Sequence, residues 1–537
     1  MQIYLRPARI RQLYSSSWLR STANFAFWTL IFALAYTQAP LYTSNQNQYF
    51  LHGLADAGLG YLKQDWLANT LDPTPVFSLL AYLTYRYLRV EELFYGYYAL
   101  QMGIYLYSLV GIVASVYDIH RSRARYLIYL ALLLTAHSAA LRFTLSRILG
   151  ANWSYILEDG VADQRLLGSV FEPSTFSVLL VLSIYMFLRH RPYPAILCAT
   201  LAATFHPTYL FSAAVLTLAY GWITLSENWS WESPDAGRGL RLSNSVSKAM
   251  MLGMTALISV SPILLYVYTN FANTPPETAS QARQILVHFR IPHHALVSWW
   301  FDATAVVKIL LVCVALFLVR KNRLFYILLV CFLAAAGLTV LQAALKSDAL
   351  ALIFPWRLSI FLVPLSTALI IAALVSGLTD RYRLLALRYE NYLASAALTL
   401  ILLVVVVGSV RFALDIARKA NGEERPLQNY VAAHNYSGET YLTPVKMQDF
   451  RLATGSPVVV DFKSIPYRDV DVLEWYRRFQ LADRFYNQTG CDLLPELTGE
   501  YGVTHVVLEN EQFGAVCPQL QEIYRDANYG LYTMLSP

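Results

Sequence analysis

The run Ile196–Ile223 reads ILCATLAATFHPTYLFSAAVLTLAYGWI, 28 mostly apolar residues interrupted at His206-Pro207. As one straight helix it would measure about 42 Å, against a bilayer hydrocarbon core of about 30 Å. Proline cannot donate to a helix ladder, and it disfavours the helical region for the residue before it. The run therefore predicts two short helices that fold back on each other, with His206 at the tip. A broken apolar helix is a common mark of a binding site at membrane depth.

The surrounding sequence turns this break into a topology. Of 537 residues, 56% are hydrophobic and only 14% charged, too little polar surface for a water-soluble protein of this size. Runs such as Leu400–Val407 lack the alternation of a barrel strand, so the spans are helices. Apolar runs place them near 23–42, 93–117, 126–143, 171–188, 247–269, 303–320, 324–344, 357–378 and 395–413. With the folded-back pair this makes eleven spans. The inside segments 1–22, 118–126, 189–192, 225–248, 320–323 and 379–394 then hold 18 Lys and Arg in 79 residues, and the outside loops 43–92, 142–170, 271–302 and 345–357 hold 10 in 124. By the positive-inside rule the N-terminus is cytoplasmic and the C-terminal tail extracytoplasmic. A single span at Ile196–Ile223 would instead send the basic loops at 320–323 and 380–383 outward.

Arg6, Arg9, Arg11 and Arg20 precede a first apolar run long enough to stay in the membrane, as in a signal anchor. The net charge of +6 comes from arginines scattered beside spans, which argues against nucleic acid as a partner. Residues 1–413 thus read as an all-α polytopic membrane bundle with a long first outer loop, 43–92. Residues 414–537 read as a small α/β domain with strand-like runs at 456–462 and 504–509 and helical patterns at 470–487 and 517–527. Cys491 and Cys517 lie in this tail, where an exterior location would allow a disulfide. The tail has no Gly-rich phosphate loop, which argues against a nucleotide.

Polar groups with chemical potential gather in the outer loops. The first loop runs from Ser44-Asn45-Gln46 through a helical stretch with Tyr49, Phe50, His52, Leu54, Asp56 and Ala57, the element Asp65-Trp66, and Asp72-Pro73-Thr74-Pro75 at the next helix. The second loop carries Glu158, Asp159, Asp163, Arg165 and Glu172. Further along come Arg290-Ile291-Pro292-His293-His294 and Phe354-Pro355-Trp356-Arg357. Each has a plain structural alternative. Asp65 suits a helix cap or an ion pair, Arg357 beside Trp356 suits an interfacial anchor, and Asp163 and Glu172 suit solvated loop charges. His293 and His294 are adjacent with no third ligand nearby, which argues against zinc. Asp65, His206, the Arg290–His294 loop and Arg357 nevertheless reach one face, and charge at membrane depth usually has a partner or a task.

At these residues the chain resembles the membrane glycosyltransferases of the C-type fold (GT-C), such as protein O-mannosyltransferases and lipid A aminoarabinose transferases, over roughly residues 20–415. It also resembles a group of bacterial polytopic membrane proteins with an Arg-x-Pro-His-His loop and a similar tail, a likeness that implies no activity. The GT-C resemblance implies transfer of a sugar from a polyprenyl-phosphate-linked donor to an acceptor on the outer face of a bacterial plasma membrane, in building the cell envelope. It implies a carboxylate that deprotonates the acceptor hydroxyl, with Asp65 first and Asp56 next. His52, His206, Arg290, His293, His294 and Arg357 are the groups to bind the substrate phosphate or orient either partner. One departure stands out. Many C-type enzymes carry an acidic pair soon after span one, where this chain has Asn45 and Gln46, amides that cannot serve as bases near neutral pH. A non-catalytic subunit would account for that pair, and a transporter is the other alternative. The sugar, the acceptor and any divalent metal are not written in the sequence.

Overall fold

The structure is a computed structural model that describes residues 7–226, 238–488, 490–510 and 517–535. Arg6 and part of the expected inside segment 225–248 lie outside the described residues. The chain forms a helical bundle capped at one end by a small mixed domain, and its helices make it a membrane protein. Among the described residues, six helices are long and apolar enough to cross a bilayer: Leu93–Ala114, Pro207–Ser226, Ser245–Phe271, Arg323–Leu345, Asp348–Arg381 and Glu390–Ala420. Ser21–Tyr36, Pro173–Leu188, Pro192–Phe205 and Ala303–Val319 are apolar but shorter. The apolar runs of the sequence thus fall largely on helices, the run 23–42 leaving its helix after Tyr36, and these lengths do not make eleven full-length crossings.

Local chemistry sets the helix ends. The Ser122 hydroxyl accepts from the Arg125 amide, Asn322 accepts from Leu324, and Asp302 accepts from Ala305, each capping a helix start. The expected straight span 126–143 is instead two helices, Arg123–Ala136 and Ala139–Leu149, bent by 53°. Ser138 caps the second, and His137 leaves the helix with its ring 2.9 Å from both the Leu133 carbonyl and the Tyr105 hydroxyl. Apolar periodicity alone does not register such a cap inside a run.

The break at His206 is present. Helix Pro192–Phe205 ends, His206 takes an extended conformation, and Pro207–Tyr209 opens the next helix. The second leg returns alongside the first. The ring of Tyr220, near its far end, stacks on Phe187 at 4.2 Å. The fold-back draws basic loops to one end of the bundle, where Arg323 Nη1 lies 3.0 Å from His190 Nδ1 and Arg121 and Arg125 both hold Asp380.

The tail domain sits at the opposite end and begins only after helix Glu390–Ala420, which continues beyond the expected boundary at 413. Its sheet is built from β1 (Tyr441–Leu442), β2 (His505–Glu509), β3 (Leu520–Arg525) and β4 (Tyr529–Met534) in the order β1-β2-β4-β3, with only the β1–β2 pair parallel. Helix Asp469–Gln488 covers it through Trp475, Leu481 and Phe485. The helical pattern at 517–527 is therefore corrected to an edge strand. β3 exposes Gln521 and Glu522 and pairs on one side only, so its alternation is blurred by polar residues that keep a sheet edge soluble. The run 456–462 contributes a single bridge, Val458 with Tyr441. Cys491 and Cys517, 26 residues apart, form a disulfide. Replacing both by serine is expected to lower the stability of this domain by about 3 kcal/mol through the freed unfolded chain. Thermal melts of the full chain check this, and an unchanged tail transition would contradict it.

Candidate functional site

Left-handed backbone at residues other than glycine concentrates at the tail-bearing end. Tyr42, Ser44, Ala162, Asp163 and Phe354 all have φ between 51° and 60°, a costly conformation that a fold retains where the surroundings enforce it. Ala162, Asp163 and Phe354 shape loops around one cluster, and Tyr42 and Ser44 shape the turn that leads into Asn45. Phe354 turns the chain into Pro355–Leu358, which presents Arg357. Ala162 offers its carbonyl to His294 Nδ1 at 2.8 Å. Arg290 ends a π-helical turn, Ile285–Arg290, an arrangement that often re-aims a functional side chain.

These loops converge. Arg357 donates through Nε to the Gln164 side chain at 2.9 Å and through Nη1 to the Thr208 hydroxyl, and its guanidinium lies 5.7 Å from the centre of the Tyr209 ring. Arg290 donates to the Lys463 carbonyl at 2.7 Å and lies 4.8 Å over Phe462, while its Nε has no partner. Tyr49 meets the His206 ring at 5.8 Å and the Tyr467 hydroxyl at 3.0 Å. His206 is buried with Nδ1 unpartnered, and His293 lies against His294 at 4.1 Å.

The electrostatics are lopsided. Among the described residues, no carboxylate comes within ion-pair distance of Arg290, Arg357 or Lys463, although Arg165 is paired to Asp159 at 3.0 Å. Burial, followed by the neighbouring Arg290, holds the Lys463 ammonium below its ordinary range, and burial does the same to Arg290. Asp461 and Asp163 lie near enough to act on Arg290 and His293, and the carboxylate nearest in effect to Lys463 is Glu172, 7% exposed, which accepts from the Ser174 hydroxyl and is approached by Asn45. Burial pushes its pKa up, against the pull of those hydrogen bonds and of Lys463 and Arg165. Buried or half-buried cations held mostly by neutral partners form a receptor for an anion, and a dehydrated carboxylate with a raised pKa is suited to exchanging a proton.

Of the sequence candidates, His206, Arg290, His293, His294 and Arg357 are brought together. Asp65, Asp56 and His52 are not. Asp65 is fully buried beneath the tail domain: Oδ2 accepts from Arg451 Nε at 2.7 Å and from the Val458 amide at 2.9 Å, and Oδ1 accepts from the Leu67 amide at 2.9 Å. Arg451 also pairs with buried Asp461. The expectation that Asp65 is a free base is thus corrected, because its lone pairs are already committed. Trp66 Nε1 donates to the Val459 carbonyl at 2.5 Å and Tyr61 N to the Gly455 carbonyl at 2.7 Å, so this part of the loop is the clamp that seats the tail. Asp56 is exposed, and His52 is 3.1 Å from the Ala68 carbonyl beside Pro466. Sequence reading missed Lys463 and Tyr467, which arrive only because the tail folds back over the bundle. It undervalued Glu172, whose position before Pro173 was the one available signal. Among the described residues, no group of three or more His, Cys, Asp or Glu side chains is placed to hold a metal ion.

Comparison with known proteins adds a limited frame. A family described as a domain of unknown function, DUF6798, matches residues 422–482. No curated protein sequence matches the chain. Among solved structures, the apo oligosaccharyltransferase of Archaeoglobus fulgidus is similar over 91% of this chain and 69% of its own, at 9% identity and a TM-score of 0.40. A likeness that distant decides neither fold nor activity, which rest on the residues themselves.

Proposed function

We propose that this protein is a C-type membrane glycosyltransferase of eleven spans that moves a sugar from a polyprenyl-phosphate donor to an acceptor at the extracytoplasmic face of a bacterial plasma membrane. The observation that carries the reading is the set of buried Arg290 with half-buried Arg357 and Lys463, cations without a carboxylate ion-pair partner among the described residues, with Glu172 near enough to Lys463 to feel its charge. Arg290 and Arg357 hold the departing phosphate, with His206 and His293 at its margin. Glu172 replaces Asp65 as the base that takes the acceptor hydroxyl proton, and Asn45 orients it. An acidic pair at Asn45-Gln46 is unnecessary if the carboxylate comes from the second loop instead. The disulfide supports an exterior tail, since such bonds persist in oxidising compartments. Asn45-Gln46 also suits a non-catalytic subunit, which would bind the same phosphate without turning it over.

The test is binding of a polyprenyl phosphate to the purified chain in nanodiscs. The double variant R290Q/R357Q is expected to bind at least tenfold more weakly, since each charge-assisted contact contributes about 1.5–3 kcal/mol. Equal affinity of variant and wild type would remove the reading.

A further inference from the structure

Behind the first outer loop lies a second polar cavity that the donor cluster does not use. About 500 Å³ in volume, it opens between the turn Tyr42–Asn47, the end of helix Glu390–Ala420 and the tail-domain loop carrying Lys446 and Asp449. Arg411, Arg418, Lys419 and Lys446 line it against Asp415, Glu424 and Asp449. Arg411 Nε and Arg418 Nη1 share Asp415 at 2.6 and 3.4 Å, and both arginine side chains are well exposed. Ion pairs of this kind are weakly held and re-partner readily. Lys419 is more firmly placed, donating to the Tyr42 carbonyl at 2.6 Å. Asn47, 1% exposed, lines the same cavity, and neither atom of its amide has a hydrogen-bond partner. A buried amide in that state is unfavourable unless something completes it.

A further cavity of about 430 Å³ adjoins the first, sharing Pro40, Tyr42 and Lys419, and its walls include Leu41, Leu59, Ile416 and Leu452, with Glu91 and Arg425 among them. A chamber with cations in excess by one, adjoining a mostly apolar one at the end of a membrane helix, matches a molecule with an anionic head and a hydrocarbon chain. We propose that these joined cavities bind a phosphate-bearing amphiphile, an anionic membrane lipid whose phosphate rests on Arg411, Arg418 and Lys446 while its chain lies along Leu41 and Ile416. This site is separate from the donor cluster and does not depend on it.

Native mass spectrometry of the full chain in detergent, with phosphatidylglycerol or phosphatidylcholine added, tests this. Wild type is expected to retain phosphatidylglycerol over phosphatidylcholine by about tenfold or more. R411Q/R418Q/K446Q, altered at exposed or half-exposed side chains, should lose that preference. R388Q, an exposed cation at the opposite end, and R290Q/R357Q should both keep it. Equal retention of the two lipids by wild type, or an undiminished preference in the triple variant, would overturn the proposal. Thermal stabilisation of wild type by inorganic phosphate, lost in the triple variant and without phosphatidylglycerol retention, would overturn the lipid and keep the phosphate site.

Discussion

Arg451→Ala is expected to lower the stability of the full chain by about 3–5 kcal/mol, because removing one member of a buried ionic group strands the others. Here the stranded groups are Asp65 and Asp461, each no more than 2% exposed. The loss should be local as well as global. Asp65 binds the Val458 amide and Trp66 the Val459 carbonyl, so amides at 61–69 and 451–461 should lose hydrogen-exchange protection together. Gly60→Ala attacks the same seam from the backbone: Gly60 has a φ of 51°, and an added Cβ would meet the Gly455 carbonyl at 2.4 Å. Asp65→Asn separates the two roles considered for this residue. A clamp predicts lower stability, with any loss of turnover following the undocked tail. A catalytic base predicts lost turnover at unchanged stability, and that outcome would contradict the placement found here.

Glu172→Gln carries the largest expected effect on chemistry. A positioned base contributes about 10²–10⁴ in rate, so turnover of a polyprenyl-phosphate sugar should fall by that order while donor affinity and melting stay near wild type. The pH dependence has a defined sign. A base works only when deprotonated, and burial raises the pKa of Glu172, so turnover should climb with pH across a limb lying above the ordinary carboxylate range. The variant should lose that limb. Wild-type turnover in E172Q, or loss of the fold, would sink the assignment.

What was legible in the sequence was set by short-range physics. His206-Pro207 announced a break because proline lacks an amide hydrogen, and charge asymmetry indicated which loops share an end, as the pairs Arg323–His190 and Arg125–Asp380 now show. The convergence of His206, Arg290, His294 and Arg357 followed from that topology. The bend at Ser138 was hidden inside an apolar run, and edge strand β3 resembled an amphipathic helix. The larger miss concerns long-range contact. Asp65 meets an arginine 386 positions away, and Lys463 reaches the bundle only through the tail, so no local pattern could mark either residue. Glu172 looked like a loop charge because two of the groups that act on it, Asn45 and Lys463, are distant in sequence.

The most direct measurement is an experimental density map of the full chain with a bound polyprenyl phosphate. The phosphate is expected between Arg290 and Arg357, within hydrogen-bond reach of both and beside Glu172. A phosphate seated only in the Arg411–Lys446 cavity, or against the basic loops around Arg323 at the other end, would contradict the assignment of this cluster as the donor site.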